Sequence, residues 1–508
     1  MSSSIPTAPK PSLRLTSLDQ FRGYTMLGML LVNFIGGYKA VSPRILLHTH
    51  DYCSYADTIM PHFLFAAGFA LRLSLGRRME AGGKMPWGRA IRRILGLALV
   101  AIIWYGYCDW GGVVHKFNTM TPLNALGALF KRDLFATLLH IAVTSLWILP
   151  VITSKWTVRF WYMIASGLLH VVISYWFNYE WVYSDPTGID GGPLGFLTWA
   201  VPALCGTLAC DAVKASGIQA TTRIALCGVG VMLVGWLMSM GTVLYNVPAD
   251  QIEVDPPAAT TPADATTPAT EPAPAATEPA AGAEPPKTES TIETPAAAEP
   301  PPAGSSTEDS AGPVVADLAP ADGKPISEPP HAHDVPPNSP AAEDAPVFKK
   351  SSLDPKKYAP DPVLPTMARI KAWDGSIVEP PFVPPPDLKH RKWNYWMMSQ
   401  RGGTLSYPTF AAGVSLVIYA FFLWFSDGLK IQIGMLRTLG TNSLAAYILH
   451  DIAGWIFDPL IKPHYDALVK EGSLGMAGVW AWGGLVAFTL FVYGICRLFE
   501  RLGWYIRV

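Results

Sequence analysis

Ten stretches of about 20 mostly apolar residues follow one another in this chain, near 21–41, 58–77, 91–109, 134–153, 158–177, 194–213, 223–246, 405–426, 436–457 and 476–499. Each is long enough to cross a hydrocarbon core of ~30 Å at ~1.5 Å of rise per residue. Lipid offers the backbone no hydrogen-bond partners, and a helix supplies them within one segment. The runs predict an all-α polytopic bundle of about ten transmembrane spans, with the lipid bilayer as its surroundings. A soluble helical core does not hold ten such runs in succession.

Lys and Arg together nearly balance Asp and Glu, leaving a net charge of −1. That total points to no nucleic-acid partner. The placement of the basic residues says more, because short cytoplasmic loops collect Lys and Arg. The loop after the second run holds Arg77, Arg78, Lys84, Arg89, Arg92 and Arg93. Lys155 and Arg159, Lys214 and Arg223, and Lys430 and Arg437 mark later loops of the same parity. The loop around 178–193 has no Lys or Arg. Ten spans then put both termini in the cytoplasm and the loop around residue 48 outside, as for a bacterial inner-membrane protein. The first run lacks a small-residue cleavage site and reads as a retained span. Six scattered cysteines do not form a disulfide framework, although Cys53 and Cys108 fall on one side and leave a single bridge open.

The spans fall into two blocks, 1–246 and 405–508. Between them, 247–362 is rich in Pro, Ala, Thr and Glu, as in "PPAATTPADATTPATEPAPAATEP". Such a segment buries too little apolar surface to offset its ordering entropy and is expected to be disordered. Order is expected to return over 363–404. No phosphate-binding glycine motif announces a nucleotide-driven pump.

Three groups of residues carry chemistry. In "RLTSLDQFRGYTMLGMLLVNF", Ser17 and Gln20 have the spacing of a helix-capping box, and Asp19 and Arg22 share a helix face. Asn33 lies eleven residues past Arg22, about 16 Å along a helix. An amide at that depth needs a partner, a cavity or a ligand. In "HTHDYCSYAD", His48 and His50 accompany Asp51, Cys53 and Asp57. A metal site would need further ligands that are not evident, whereas an imidazole beside a carboxylate suits proton abstraction near neutral pH. In "LGTNSLAAYILHDI", Asn442, Tyr447 and His450 recur at helical spacing. Interhelical hydrogen bonding is the alternative use of those side chains.

The opening "RLTSLDQFRGYTMLGMLLVNFIGGY", a histidine some fifteen residues after Asn33, "ADTIMPHFLFAAGFALRL" and the later "GTNSLAAYILH" resemble the heparan-α-glucosaminide N-acetyltransferase family of polytopic membrane acyltransferases. The resemblance covers two separated blocks. It implies acetyl-CoA as a cytoplasmic acyl donor and an amino-sugar acceptor on the opposite side. It also implies a catalytic loop histidine, His48 or His50, with Asn33 near it. On that reading Asp57 orients the imidazole, Arg22 and Asp19 contact the donor, and Asn442 and His450 support the acceptor side. No metal is called for, and a homo-oligomer is left open. A proton-coupled transporter would use the same buried Asn and His residues.

Overall fold

The computed structural model describes residues 15–80, 83–247, 353–386 and 390–505. Among them the regular structure is helical, with isolated bridges at Asn246–Arg391 and Tyr358–Trp393 but no strand. In the first block run α1 (Thr16–Ile35), α2 (Tyr55–Glu80), α3 (Trp87–Cys108), α4 (Trp110–Thr119), α5 (Pro122–Ala128), α6 (Thr137–Ile148) and α7 (Trp156–Ile173). They continue as α8 (Tyr179–Tyr183), α9 (Phe196–Ser216) and α10 (Ala220–Ser239). After the short α11 (Met367–Lys371) come α12 (Ser406–Phe422), α13 (Gly434–Thr441), α14 (Ser443–Lys470) and α15 (Leu474–Arg501).

Seven of these helical stretches are long and apolar enough to cross a membrane, or eight if the pair Pro122–Asp133 and Thr137–Val151, bent by 88°, makes one span. The chain is a multi-pass membrane protein. The expected ten spans are not reached, for two reasons. The first run forms α1, which carries Asp19 and Arg22 and is not among the seven. The runs at 194–213 and 223–246 merge into one helical stretch of 54 residues, Gly192–Tyr245. At ~1.5 Å per residue that stretch exceeds twice a ~30 Å core. Its break is at Gly217, whose φ of 56° lies in the left-handed region.

The two sequence blocks form one packed unit, in which α10 and α9 lie against α12, and α1 against α13, α14 and α15. Burial orders the helices from centre to rim. In α2 and α12, 61% and 67% of the spanning window is buried, against 11% in α3. Close approach at the centre depends on small residues. A Cβ on Gly68 of α2 would stand 1.9 Å from the Ala203 carbonyl oxygen of α9, and one on Gly206 would stand 2.1 Å from the Phe65 carbonyl oxygen. Backbones in lipid meet this way because glycine presents no side chain at the contact.

Two local expectations are corrected. Ser17 and Gln20 do not cap α1, which begins at Thr16 with no side-chain cap. Instead the Ser17 hydroxyl donates to Asp427 Oδ2 at 2.5 Å, and Gln20 exchanges two hydrogen bonds with the Ile433 backbone at 3.1 and 3.2 Å. Residues 353–362, assigned to the linker, are packed: Leu353, Tyr358 and Ala359 are buried, and Ala359 N–H donates to the Trp393 carbonyl. Val247, its first residue, is also described and its N–H donates to the His390 carbonyl at 2.8 Å; residues 248–352 lie outside the described residues.

Candidate functional site

Ser54 begins the site. It precedes α2, and its hydroxyl accepts from Asp57 N–H at 3.3 Å, while Asp57 Oδ2 accepts from Ser54 N–H at 2.9 Å. This reciprocal pair is a capping box with Asp in the acidic position. Helix capping thus fixes the Asp57 carboxylate. Oδ2 also receives the Ser54 hydroxyl at 2.9 Å and the Thr49 hydroxyl at 2.8 Å. Tyr407 on α12 donates to the Asp57 carbonyl at 2.5 Å, tying the start of α2 to the bundle.

Asp57 Oδ1 stands 2.9 Å from His48 Nδ1. With Nδ1–H donating to the carboxylate, the neutral imidazole keeps its lone pair on Nε2. Asp57 is 1% exposed but the His48 side chain is 43% exposed, so a fixed carboxylate holds an accessible ring. Burial works against the charged imidazole, but the hydrogen bond to Asp57 and the charges of Asp57 and Asp190 outweigh it and raise the His48 pKa. His50 is different. Burial and the nearby Arg401 charge push it down to about 4, and its buried Nδ1 has no hydrogen-bond partner among the described residues. The spacing of the sequence favoured His48 but left both histidines open; the structure pairs Asp57 with His48.

Asp190 was not singled out from sequence. It is 4% exposed, and burial raises its pKa to about 7 against the opposing effects of His48 and Gln400. Its carbonyl accepts from Trp199 Nε1 at 2.8 Å and its Oδ1 from Gln400 Nε2 at 3.2 Å. The run "GIDGGP" was the available signal. Asp190, Gly191 and Gly192 all have positive φ, which lets this turn pack on "QRGGT" through Gly191 N–H and the Arg401 carbonyl at 3.0 Å.

Asn33 sits in the last turn of α1, where it is exposed on one side. Its Nδ2 donates a hydrogen bond to His450 Nε2 at 3.2 Å. His450 Nδ1 contacts the Tyr447 carbonyl, and its Nε2 is 3.2 Å from Asp451 Oδ1. Asp451 Oδ2 in turn accepts from Trp104 Nε1 at 2.7 Å. Asn442 stands apart, two turns earlier at the start of α14, with Nδ2 on the Thr438 carbonyl at 3.2 Å.

A cavity of about 730 Å³ lies between α1, α2, α3, α6 and α14. Arg22, Arg78, Arg89 and Arg93 line it, with Asp19 and Ser443; Tyr447 also lines it. Arg22 donates to the Ser443 hydroxyl. Asp190 is close enough to both His48 and Tyr447 for its charge to act on each. Cys53 and Cys108 are both free, the first buried and the second exposed. Among the described residues no three His, Cys, Asp or Glu side chains gather as metal ligands would.

Fold and site together define an all-α, multi-pass membrane protein with a loop histidine paired to an aspartate in the first turn of α2 and an arginine-lined cavity within the bundle. No protein-family model matches the chain, and no curated protein is similar to it.

Proposed function

We propose that the protein is a membrane acyltransferase that moves an acetyl group from cytoplasmic acetyl-CoA to an amino-sugar or related amine on the opposite side. The observation that carries this reading is the arginine-lined cavity. Its four guanidinium groups suit the phosphates of coenzyme A, since arginine pairs with phosphate through two parallel N–H donors. Its volume, about 730 Å³, falls within the usual range for small-molecule sites. The resemblance to the heparan-α-glucosaminide N-acetyltransferase family points the same way.

In this reading the thioester lies toward Tyr447, His450 and Asn33. His48 Nε2 takes the proton from the acceptor amine as its nitrogen attacks the acetyl carbon. The C–S bond then breaks, and the thiolate of coenzyme A receives that proton. An acetyl group carried on His48 for part of the cycle would use the same nitrogen. Asn33 keeps one amide N–H and its oxygen for substrate. Arg22 and Asp19 face the donor, and His450 orders Asn33. The topology proposed is ten spans, counting α1 and dividing Gly192–Tyr245 at Gly217. Both termini are then cytoplasmic, in a bacterial inner membrane.

The test is turnover of radiolabelled acetyl-CoA by purified protein with a panel of amino sugars, and thermal shift with acetyl-CoA, CoA and ATP. Transfer to an amine, with stabilisation by CoA compounds above that by ATP, is expected. A second reading, a proton-coupled transporter, draws on the His450–Asp451 pair inside a spanning helix. Uptake of solute by proteoliposomes with no acetyl transfer would replace the first reading by the second.

A further inference from the structure

The hydroxyl of Tyr447 is 2.9 Å from that of Tyr105 on α3. The Tyr105 oxygen also accepts the backbone N–H of Leu138 at 2.9 Å. This second bond has a fixed direction, because a backbone N–H can only donate. Tyr105 must place its own proton elsewhere, and among the described residues its hydroxyl has no acceptor other than Tyr447. Leaving that proton unspent in the bundle would be costly. The chain of donors therefore runs from Leu138 N–H to Tyr105, and from Tyr105 O–H to Tyr447.

Toward Tyr105, Tyr447 is thus an acceptor, and its own proton remains to be given. The cavity offers a place to give it, because Tyr447 lines the cavity and Tyr105 does not. Its ring is fixed as well. It lies edge-on to His450, with centroids 5.1 Å apart, and the Tyr447 carbonyl is bonded to His450 Nδ1. A phenol held in place and polarised by donors behind it is what a developing oxyanion needs.

We propose that Tyr447 is a catalytic residue whose hydroxyl donates a hydrogen bond to the acetyl carbonyl oxygen of the donor, with Tyr105 and the Leu138 N–H as its positioning groups. The proposal rests on the acyl-transfer reading. As the amine attacks, the carbonyl C–O π pair moves onto oxygen and the Tyr447 hydrogen bond strengthens. When the C–S bond breaks, the pair returns to form the amide carbonyl. Tyr447 keeps its proton throughout, and the exchanged proton is handled at His48.

The experiment compares full-length wild type with Tyr447→Phe and Tyr105→Phe in lipid nanodiscs. Turnover is measured, along with binding of acetyl-CoA and of S-ethyl-CoA, the thioether that has CH₂ in place of the carbonyl. Tyr447→Phe is expected to lower kcat by about 10²–10³-fold, the usual effect of removing one oxyanion donor. It should also erase any preference for acetyl-CoA over S-ethyl-CoA. Tyr105→Phe should lower kcat less, by about tenfold, with KM unchanged. The infrared stretch of a ¹³C-labelled acetyl carbonyl should be red-shifted when bound to wild type and return toward its free value in both variants. A Tyr447→Phe protein with wild-type kcat and an unchanged carbonyl stretch would overturn the proposal while acyl transfer stood. Wild type that neither binds nor turns over acetyl-CoA would overturn the acyl-transfer reading and this proposal with it. If Tyr447→Phe does not fold, Tyr105→Phe decides: an unaltered stretch and kcat count against the donor chain.

Discussion

Replacing Asp57 by Asn tests the loop chemistry most directly, because the change keeps the shape and alters which atoms can accept. Oδ2 receives three bonds of 2.8 to 2.9 Å from Thr49 and Ser54, while Oδ1 receives His48 Nδ1 at 2.9 Å. An amide has one acceptor oxygen. The three donors will hold that oxygen at the Oδ2 position and turn the NH₂ toward His48. Two N–H groups cannot bond, so the imidazole must move its proton to Nε2 and lose the lone pair that faces substrate. The same exchange beside a catalytic imidazole lowers turnover by about 10⁴-fold, and general-base catalysis is worth ~10²–10⁴-fold. We expect Asp57→Asn to lower kcat by ~10²–10⁴-fold with acetyl-CoA binding intact. The capping oxygen is retained, so the stability change should stay within about 1–2 kcal/mol. Radiolabelled acetyl-CoA turnover measures the first, and thermal shift with acetyl-CoA checks folding and binding. Turnover within about threefold of wild type in a folded, binding-competent variant would show that Asp57 does not govern His48.

His48→Ala should lose ~10²-fold or more in transfer while still binding acetyl-CoA; His50→Ala should lose less, and wild-type turnover by the double variant would remove histidine from the mechanism. The working form of His48 is neutral and its pKa is raised, so kcat/KM should climb with pH through a midpoint above the ordinary imidazole value of about 6.5. In a variant such as Asp57→Glu that loosens the carboxylate contact, burial gains ground and the midpoint of a pH–rate profile should fall. His50, at about 4, should contribute no inflection between pH 5 and 9. Arg22→Ala and Arg89→Ala should each weaken acetyl-CoA binding, by about tenfold in a direct binding titration, with a smaller effect on a CoA fragment that lacks phosphates.

Apolar run length determined the helices, because in lipid a long apolar segment has no other way to satisfy its backbone. The sequence also held the Asp57 cap: Ser54 and Asp57 stand three apart, and a capping box is a local interaction that spacing can report. The pairing of His48 with Asp57, across nine residues, was readable as a possibility for the same reason. The similar spacing of Ser17 and Gln20 misled, because those side chains found Asp427 and Ile433 after the chain had folded. Tertiary structure alone decided that Asn33 meets His450, 417 residues away, and that Tyr447 meets Tyr105, 342 residues away. It also brought the "GIDGGP" turn, with Asp190, onto "QRGGT". Hydrophobicity tells a helix that it is in the membrane, but all its faces there are apolar enough, so it does not say which face meets which neighbour. That choice falls to close contacts such as Gly68 on Ala203 and Gly206 on Phe65, and these set the helix rotations that carry polar groups to a shared cavity.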